Sequence, residues 1–433
     1  MDVEMDADLS IFDHMTGGVP VQRDILDRQI EYIPPVTSLS SPMIAFNIGG
    51  GDEYIALDET ELEVGIRIVK SDGSDITADD KVGCINYTLH SLWKSVDISL
   101  NGTSISYNGG NQAMRAYMEA LLSLEPVATE SWLQAAAYHK DTAGKMNMAD
   151  PNPADAATAN IGLKERAEYT NLSQPLVMRG KFHSDIFNQS KPLIDKVNMT
   201  IKFHRNDDKF VLMSSMNPAE YKIVIDHMYV IVTKLAVAER IEKDVINHVV
   251  PYPLTRIVLR EFTIPAGVKQ FPVNQLHKGN LPAKVVLGLV DNSALTGDYT
   301  KNPYNFQHFD VTEVSLTDGG NEVDGQPLQF DFAKNQYVEG YWSLFRALDK
   351  RYRNEGNDIN RKDYKDGFTL YAFDLSPSLS GGEYIDPKKD GRLIANFKFA
   401  KDTPETLTLI VYMQFDDSFS INEVGKITTN FSH

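Results

Sequence analysis

Apolar residues along this chain come in short runs broken by turn-forming residues. That is the spacing of a β-sandwich or barrel rather than of a helical bundle. Leu62-Glu63-Val64-Gly65-Ile66-Arg67-Ile68 alternates apolar and non-apolar positions, as a strand with one face in a core does. Val96-Asp97-Ile98-Ser99-Leu100 alternates likewise and runs into Asn101-Gly102, a pair suited to the positive φ angles of a tight hairpin. Further strands are expected over 42–48, 197–203 and 221–232, then over 256–264, 284–290, 311–316, 369–375, 393–399 and 406–415.

Helices interrupt this pattern. Met114, Tyr117, Met118, Leu121 and Leu122 recur at helical spacing ahead of Pro126, and Trp132, Leu133 and Ala136 suggest a second helix. Tyr341, Trp342 and Phe345 form a packing face on another. Ala238–Val249 reads as a helix with Ile241, Val245 and Val249 on one side, ended by Pro251-Tyr252-Pro253, the best domain boundary. Lys140–Gly180 is a long polar stretch, read as a functional or disordered loop. Met1–Arg23, acidic and then Gly-rich, reads as an extended or mobile arm.

The two halves share an order of motifs. Tyr32-Ile33-Pro34 corresponds to Thr263-Ile264-Pro265, and Val64–Val69 to Val285–Val290. Ile98–Gly102 corresponds to Val314–Gly319, hairpin included. The helix of Met114 and Tyr117 corresponds to that of Val338 and Tyr341, and Val197–Phe203 to Leu393–Phe399. The displacement between partners shrinks along the chain, so the first half carries the longer insertion, which Lys140–Gly180 supplies. Strands with decorated loops and a helix after a central hairpin suggest a jelly roll in each half.

Composition narrows the function. The net charge is −18, with no Lys/Arg block, which argues against direct genome wrapping or other nucleic-acid binding. Cys84 is the only cysteine; no disulfide within the chain is possible, and its plain role is that of a small buried apolar residue. The start lacks the basic and apolar regions of a signal peptide, so synthesis inside the cell, in cytoplasm or nucleus, is expected. No stretch is apolar enough for a membrane-spanning helix. The Asn-x-Ser/Thr triplets at Asn86, Asn101 and Asn198 are read as chance matches.

A search for chemistry returns no catalytic, cofactor-binding or metal-ligating residue. There is no phosphate-binding loop and no nucleophile elbow. Gly49-Gly50-Gly51 reads as a flexible hairpin connection. His183 and His204 lack a nearby second ligand type and are structural. His139 and Asp141, one residue apart, would face opposite ways on a strand, a poor acid–base pair. Asn354–Asn360 lacks calcium-loop spacing and reads as a helix end with Gly356 just past it. Asp416-Asp417 reads as a solvated turn.

Several longer blocks resemble a known family. They are Ser91-Leu92-Trp93-Lys94-Ser95-Val96-Asp97-Ile98-Ser99-Leu100-Asn101-Gly102, Tyr138-His139-Lys140-Asp141-Thr142-Ala143-Gly144, Ile264-Pro265-Ala266-Gly267 and Gly288-Leu289-Val290-Asp291-Asn292. The most distinctive are Tyr299-Thr300-Lys301-Asn302-Pro303-Tyr304-Asn305-Phe306 and Asn354-Glu355-Gly356-Asn357-Asp358-Ile359. Together, from about Ile25 to about Ile421, they resemble the major capsid (hexon-like) proteins of Polinton, or Maverick, virus-like transposons and of adintoviruses. The resemblance implies an all-β double jelly roll with short helices in its loops. It further implies a non-enzymatic homotrimer, a pseudo-hexagonal capsomer of an icosahedral virion capsid, contacting neighbouring capsomers and penton or minor capsid proteins. It supplies no catalytic residues, and the strongly acidic start is outside its usual pattern. The implied organisation is an arm over 1–24 that runs beneath neighbouring subunits, a first jelly roll over 25–237 whose Lys140–Gly180 insertion forms an outer tower or clasps a neighbour, a linker over 238–253 and a second jelly roll over 254–433. The alternatives are a carbohydrate-binding or carbohydrate-active double sandwich, which should show paired carboxylates or aromatics in a groove, and a domesticated capsid relative that no longer assembles.

Overall fold

The computed structural model describes residues 24–106, 109–246, 248–377 and 386–431. The expected arm, up to Arg23, lies outside them. Among the described residues, sixteen strands form the shared framework of two sandwiches, eight in each, and each sheet of the second sandwich carries one further short strand. The first holds β1 (Ile25–Ile33), β2 (Met43–Ile48), β3 (Tyr54–Lys70), β4 (Trp93–Leu100), β5 (Thr103–Ser104), β6 (Leu176–Lys181), β7 (Met199–Arg205) and β8 (Tyr221–Val237). The second holds β9 (Val250–Ile264), β10 (Gln270–Asn280), β11 (Lys284–Asp291), β12 (Val311–Asp318), β13 (Asn321–Glu322), β14 (Leu370–Asp374), β15 (Asp390–Phe399) and β16 (Leu407–Ile421).

The sheet order repeats strand for strand. The first sandwich pairs β1-β8-β3-β6 in one sheet and β2-β7-β4-β5 in the other; the second pairs β9-β16-β11-β14 and β10-β15-β12-β13. The five motif correspondences therefore fall on equivalent elements, including the two hairpins. Asn101 and Gly102 take φ 45° and 82°, and Gly319 and Gly320 take 58° and 95°, the paired positive angles that a two-residue turn between twisted strands requires.

Alternation explains each core. Leu62, Val64, Ile66 and Ile68 of β3 are buried, together with Phe46, Ile98, Ile201 and Phe203 from the other sheet. The Phe46 and Phe203 rings meet edge to face at 5.7 Å. In the second sandwich Leu287, Tyr371 and Val411 are buried with Val314, Leu316 and Phe397. Each such side chain contributes roughly 1.5–3 kcal/mol relative to exposure.

Several expectations are corrected, each by a partner distant in sequence. Lys140–Gly180 is not an open loop or tower. It folds into helix α2 (Ile161–Thr170) and the start of β6, and buries Met146, Leu163 and Arg166. Gly49–Gly51 joins strands of opposite sheets, so it is a crossing and not a hairpin. Pro251-Tyr252-Pro253 does not end a helix: helix α3 covers Glu239–Ile246, Val249 beyond it is exposed, and both prolines lie in β9, opposite Ser420 and Ser418. A strand that edges its sheet tolerates their missing N–H groups. Asp416 and Asp417 lie in β16. The Asp417 side chain is fully buried, 2.7 Å from Arg256 Nε and 2.9 Å from Lys388 Nζ.

Helix α4 (Val338–Ala347) follows the second hairpin, but its buried residues are Gly340, Ser343, Leu344 and Ala347, while Trp342 is 45% exposed. It ends well before Gly356, and Asp349 takes the left-handed φ of 54° instead.

The crossing at Gly50 needs glycine for close approach. A Cβ there would lie 2.5 Å from the backbone nitrogen of Val197, whereas at Gly49 and Gly51 it would meet nothing. Gly50→Ala is expected to cost about 1–3 kcal/mol in denaturant unfolding, as overpacking does, with Gly49→Ala and Gly51→Ala near neutral. Equal effects at all three positions would refute the close-approach account.

Candidate functional site: the seam between the sandwiches

The most heavily built polar constellation lies where loops of the two sandwiches meet. At its centre Asp141 receives Arg166 Nη2 at 2.6 Å, and both side chains are wholly buried. Helix α2 positions Arg166. Its Nε donates to the Cys84 carbonyl at 2.8 Å and its Nη1 to the His139 carbonyl. The same Asp141 oxygen accepts from Asn160 Nδ2 at 2.9 Å. The other oxygen accepts from Asn302 Nδ2 of the second sandwich, also at 2.9 Å. Burying a carboxylate costs several kcal/mol unless it is fully partnered, and here both oxygens are.

Neighbouring groups extend the seam. The Asn302 N–H donates to Asn147 Oδ1 at 3.0 Å. Two residues on, the Tyr304 ring stacks on Tyr117 of helix α1 (Gln112–Ser123) at 4.1 Å, and its hydroxyl meets Ser91 Oγ at 2.6 Å. Tyr138 donates to Asp358 Oδ2 at 2.9 Å, and Lys140 Nζ lies 3.3 Å from Asp363 and 4.9 Å from the centre of the Phe368 ring. Burial raises the Asp358 pKa, and Lys140 and Tyr138 oppose that shift. The Gly356 N–H donates to Glu125 Oε1 at 2.7 Å, and the Asp358 N–H to the Leu121 carbonyl at 3.1 Å. The Asn354–Ile359 block is thus a docking loop.

A second cluster sits where the short turn Asp185–Asn188 and helix α1 face β9. Arg115 joins Glu119 at 2.9 Å and Asp185 at 2.5 Å. Asp185 accepts the Ile257 N–H at 3.1 Å, tying the second sandwich to the first. His183 bridges Glu119 and the Tyr87 hydroxyl, both at 2.6 Å. Burial works against ionisation of Glu119, but Arg115 and His183 together outweigh it and hold the carboxyl down at about 2. Burial pushes Asp185 the other way, upward.

The residues singled out for chemistry stay apart. Asp141 turns to Arg166, while His139 Nδ1 meets Glu165 at 2.9 Å. His204 contacts Asp97 at 3.1 Å. Burial pushes the Cys84 thiol up to about 12, an unreactive state at neutral pH. Among the described residues no three His, Cys, Asp or Glu side chains cluster as a metal site needs, and no helix is long and apolar enough to cross a membrane. A crevice of about 230 Å³ between the sandwiches is lined by Lys94, Asn111, Asp207, Phe210 and Glu261, among others; burial raises the Glu261 pKa, and Asn111 and Lys94 oppose that. Sequence reasoning missed Arg166, Asn302 and Asp185 as seam residues. The one signal available was that the distinctive blocks at Ser91, Tyr138–Gly144, Tyr299–Phe306 and Asn354–Ile359 contain seam partners.

The comparisons with known proteins bear on the whole architecture. A chain of the Sputnik virophage cryo-EM structure superposes with a TM-score of 0.64 at 12% identity, covering 96% of this chain and 90% of that one. The mavirus major capsid protein gives 0.55 at 11% identity, covering 93% and 90%. The Faustovirus major capsid protein gives 0.53 at 11%, covering 94% of each. The chain is a double jelly roll. No family model matches it. In sequence, this double jelly roll is 26% identical over 387 residues to the uncharacterized protein F54H12.2 of Caenorhabditis elegans, covering 85% of this chain and 88% of that one.

Two measurements test the seam. Asp141→Ala is expected to cost about 3–5 kcal/mol, because it strands a buried guanidinium, while the double variant Asp141→Leu/Arg166→Met recovers most of that loss. A single-variant cost below about 1 kcal/mol would show that the Asp141 carboxylate does not organise the seam. The second concerns pH. The folded pKa of Glu119, about 2, lies below the ordinary Glu value of about 4.3. Its contribution is therefore complete above that ordinary value and is lost as pH falls toward 2. Glu119→Gln should flatten the wild-type decline in stability over that window; an unchanged slope would assign the decline to other groups.

Proposed function

We propose that this protein is the major capsid protein of a Polinton- or adintovirus-like element, a structural subunit and not an enzyme. Three copies form a pseudo-hexagonal capsomer, and capsomers tile an icosahedral virion shell beside penton or minor capsid proteins. The observation that carries this reading is the strand-for-strand duplication held across a buried seam. Two similar blocks in fixed relation let a threefold assembly present six roughly equivalent sides, and closed symmetry then sets the contacts. Likeness to viral double jelly rolls along nearly the whole chain supports the reading. The acidic net charge of −18 suits a shell that does not itself wrap the genome. On this reading residues 25–237 and 254–433 are the two blocks, with Val250–Pro253 adding the start of β9 to the second, and the seam's charged groups serve alignment.

The nematode relative favours a second reading, a chain carried in a cellular genome that keeps the fold without assembling. Light scattering and electron microscopy of the purified full chain separate the two. Trimers that close into shells are expected. A monomer at all concentrations and salt conditions would overturn the capsid reading and leave the domesticated one.

A further inference from the structure

Helices α1 and α4 follow the two hairpins in equivalent places, and the segments that leave them meet across the seam. Lys350, just beyond α4, donates from Nζ to the Ser123 carbonyl at the end of α1, at 2.9 Å, and to the Gly356 carbonyl. A cation is favourable at a helix C-terminus. The Gly356 N–H in turn donates to Glu125 Oε1 at 2.7 Å. These bonds fix the two segments as the walls of a groove of about 410 Å³. Leu124, Val127, Ser131 and Trp132 line it from the first jelly roll, Lys350 and Glu355 from the second. The volume falls in the range of small-molecule sites, roughly 300–1,000 Å³.

Trp132 gives the groove its character. Its turn, Trp132–Ala136, is anchored by the buried Leu133 and Ala136, while the indole itself is 55% exposed. A large ring on an anchored turn offers contact area at little cost in conformational entropy. The segment leaving Lys350 adds a second exposed aromatic pair: Tyr352 is 92% exposed, and its ring lies 6.2 Å from that of Trp342. Tyr352 holds a left-handed φ of 59°, a strained backbone of the kind that collects at ligand sites. The polar groups choose the ligand. Glu125 and Glu355 outnumber Lys350, whose ammonium is already committed to two carbonyls. A sulfated, phosphorylated or sialylated ligand would therefore meet net repulsion. Glu355 is exposed, and the Ser131 hydroxyl, which donates to the Val127 carbonyl, is left to accept. A pyranose ring matches this set, with one face of C–H groups for the indole and a rim of hydroxyls for the acceptors. Hydroxyl bonds to an ionised carboxylate are among the stronger hydrogen bonds.

We infer that this groove binds an uncharged pyranose sugar, its C–H face on Trp132 and its hydroxyls on Glu355 and Ser131. Leu124 and Val127 give an apolar patch beside the ring, which suits the methyl of an acetamido substituent. Because the walls are tied together before any ligand arrives, binding orders little of the protein. The inference goes beyond the capsid reading and does not depend on it.

The test is saturation-transfer NMR on the full chain, with the trisaccharide of N-acetylglucosamine as probe and sialyllactose as its charged comparator. Saturation should pass to the ring C–H groups of the trisaccharide, which should bind more tightly than sialyllactose. Trp132→Ala should weaken binding at least about ten-fold, the scale of one lost aromatic contact. Its circular dichroism and light scattering should match the wild type, and Trp132→Phe should keep most of the affinity. Glu355→Gln should weaken binding by about three-fold, the loss of a charged acceptor. No transfer to the trisaccharide, tighter binding of sialyllactose, or unchanged affinity in Trp132→Ala would each overturn the inference. A changed oligomeric state in Trp132→Ala would also overturn it, by placing the indole in a contact between copies. Trisaccharide binding, lost in Trp132→Ala, by a chain that never trimerises would support the groove and overturn only the capsid reading.

Discussion

The buried carboxylate of Asp141, held by Arg166 of its own jelly roll and by Asn302 of the other, is the group on which the relation between the two halves depends. A buried ion pair is weak evidence for net stability, since desolvation consumes most of the Coulomb energy. Its value here is directional. One carboxylate oxygen is committed to Arg166 and Asn160 of the first jelly roll, the other to Asn302 of the second. A slip of the halves by even one side chain would break the Asn302 bond and leave one buried carboxylate oxygen without its donor. The seam therefore selects one arrangement from the many in which two apolar sandwich surfaces could meet.

The long insertion in the first half follows from that requirement. A sheet face of Val, Ile and Leu packs against many others with similar energy, so sheets alone specify the angle between blocks poorly. Loops carry the polar groups that do. Met146, Leu163 and Arg166 fold the insertion onto its own jelly roll, while Asn147 and Asp141 reach the second. The sequence suggested a clasp on a neighbouring subunit; the contacts made by the insertion here hold the chain's own other half. The Gly144 N–H, 2.6 Å from the Asp366 carbonyl, extends it.

What the sequence displayed and what it hid divide along the same line. The period-two alternation of β3 and β4 and the Asn-Gly turn were legible because they are set by residues one to four positions apart. The repeat was legible because both halves obey those local rules in the same order. The misreadings all have partners far away. Asp417 looks solvated until Arg256, on the neighbouring strand and 161 positions off, is placed beside it. Pro251 looks like a helix stop until the Lys191 ammonium is found 2.8 Å from its carbonyl, in the contact that covers that edge. Gly356 looks like a helix end until Glu125 accepts its N–H. The seam itself was visible only as wording that strand propensity does not dictate, at Tyr138–Gly144, Tyr299–Phe306 and Asn354–Ile359. Nothing in those blocks said that they touch.

Duplication also explains why equivalent faces carry different residues. Within the chain the contact is permanent, so it can be dry: Tyr412 and Leu259 are buried beside an Arg115–Asp185–Glu119 cluster sealed from water. A sheet face without such a cover cannot carry so large an apolar area without inviting aggregation. The outer face of β1-β8-β3-β6 meets that constraint by breaking up its apolar area. Tyr32 sits beneath Arg179, and Arg179 in turn lies 2.5 Å from Glu61. Exposed ion pairs of this kind add little stability and are screened by salt. They contribute little to the fold, in contrast to the buried groups of the internal seam. Equivalent faces of one repeated fold thus differ in residues where one is covered within the chain and the other is not.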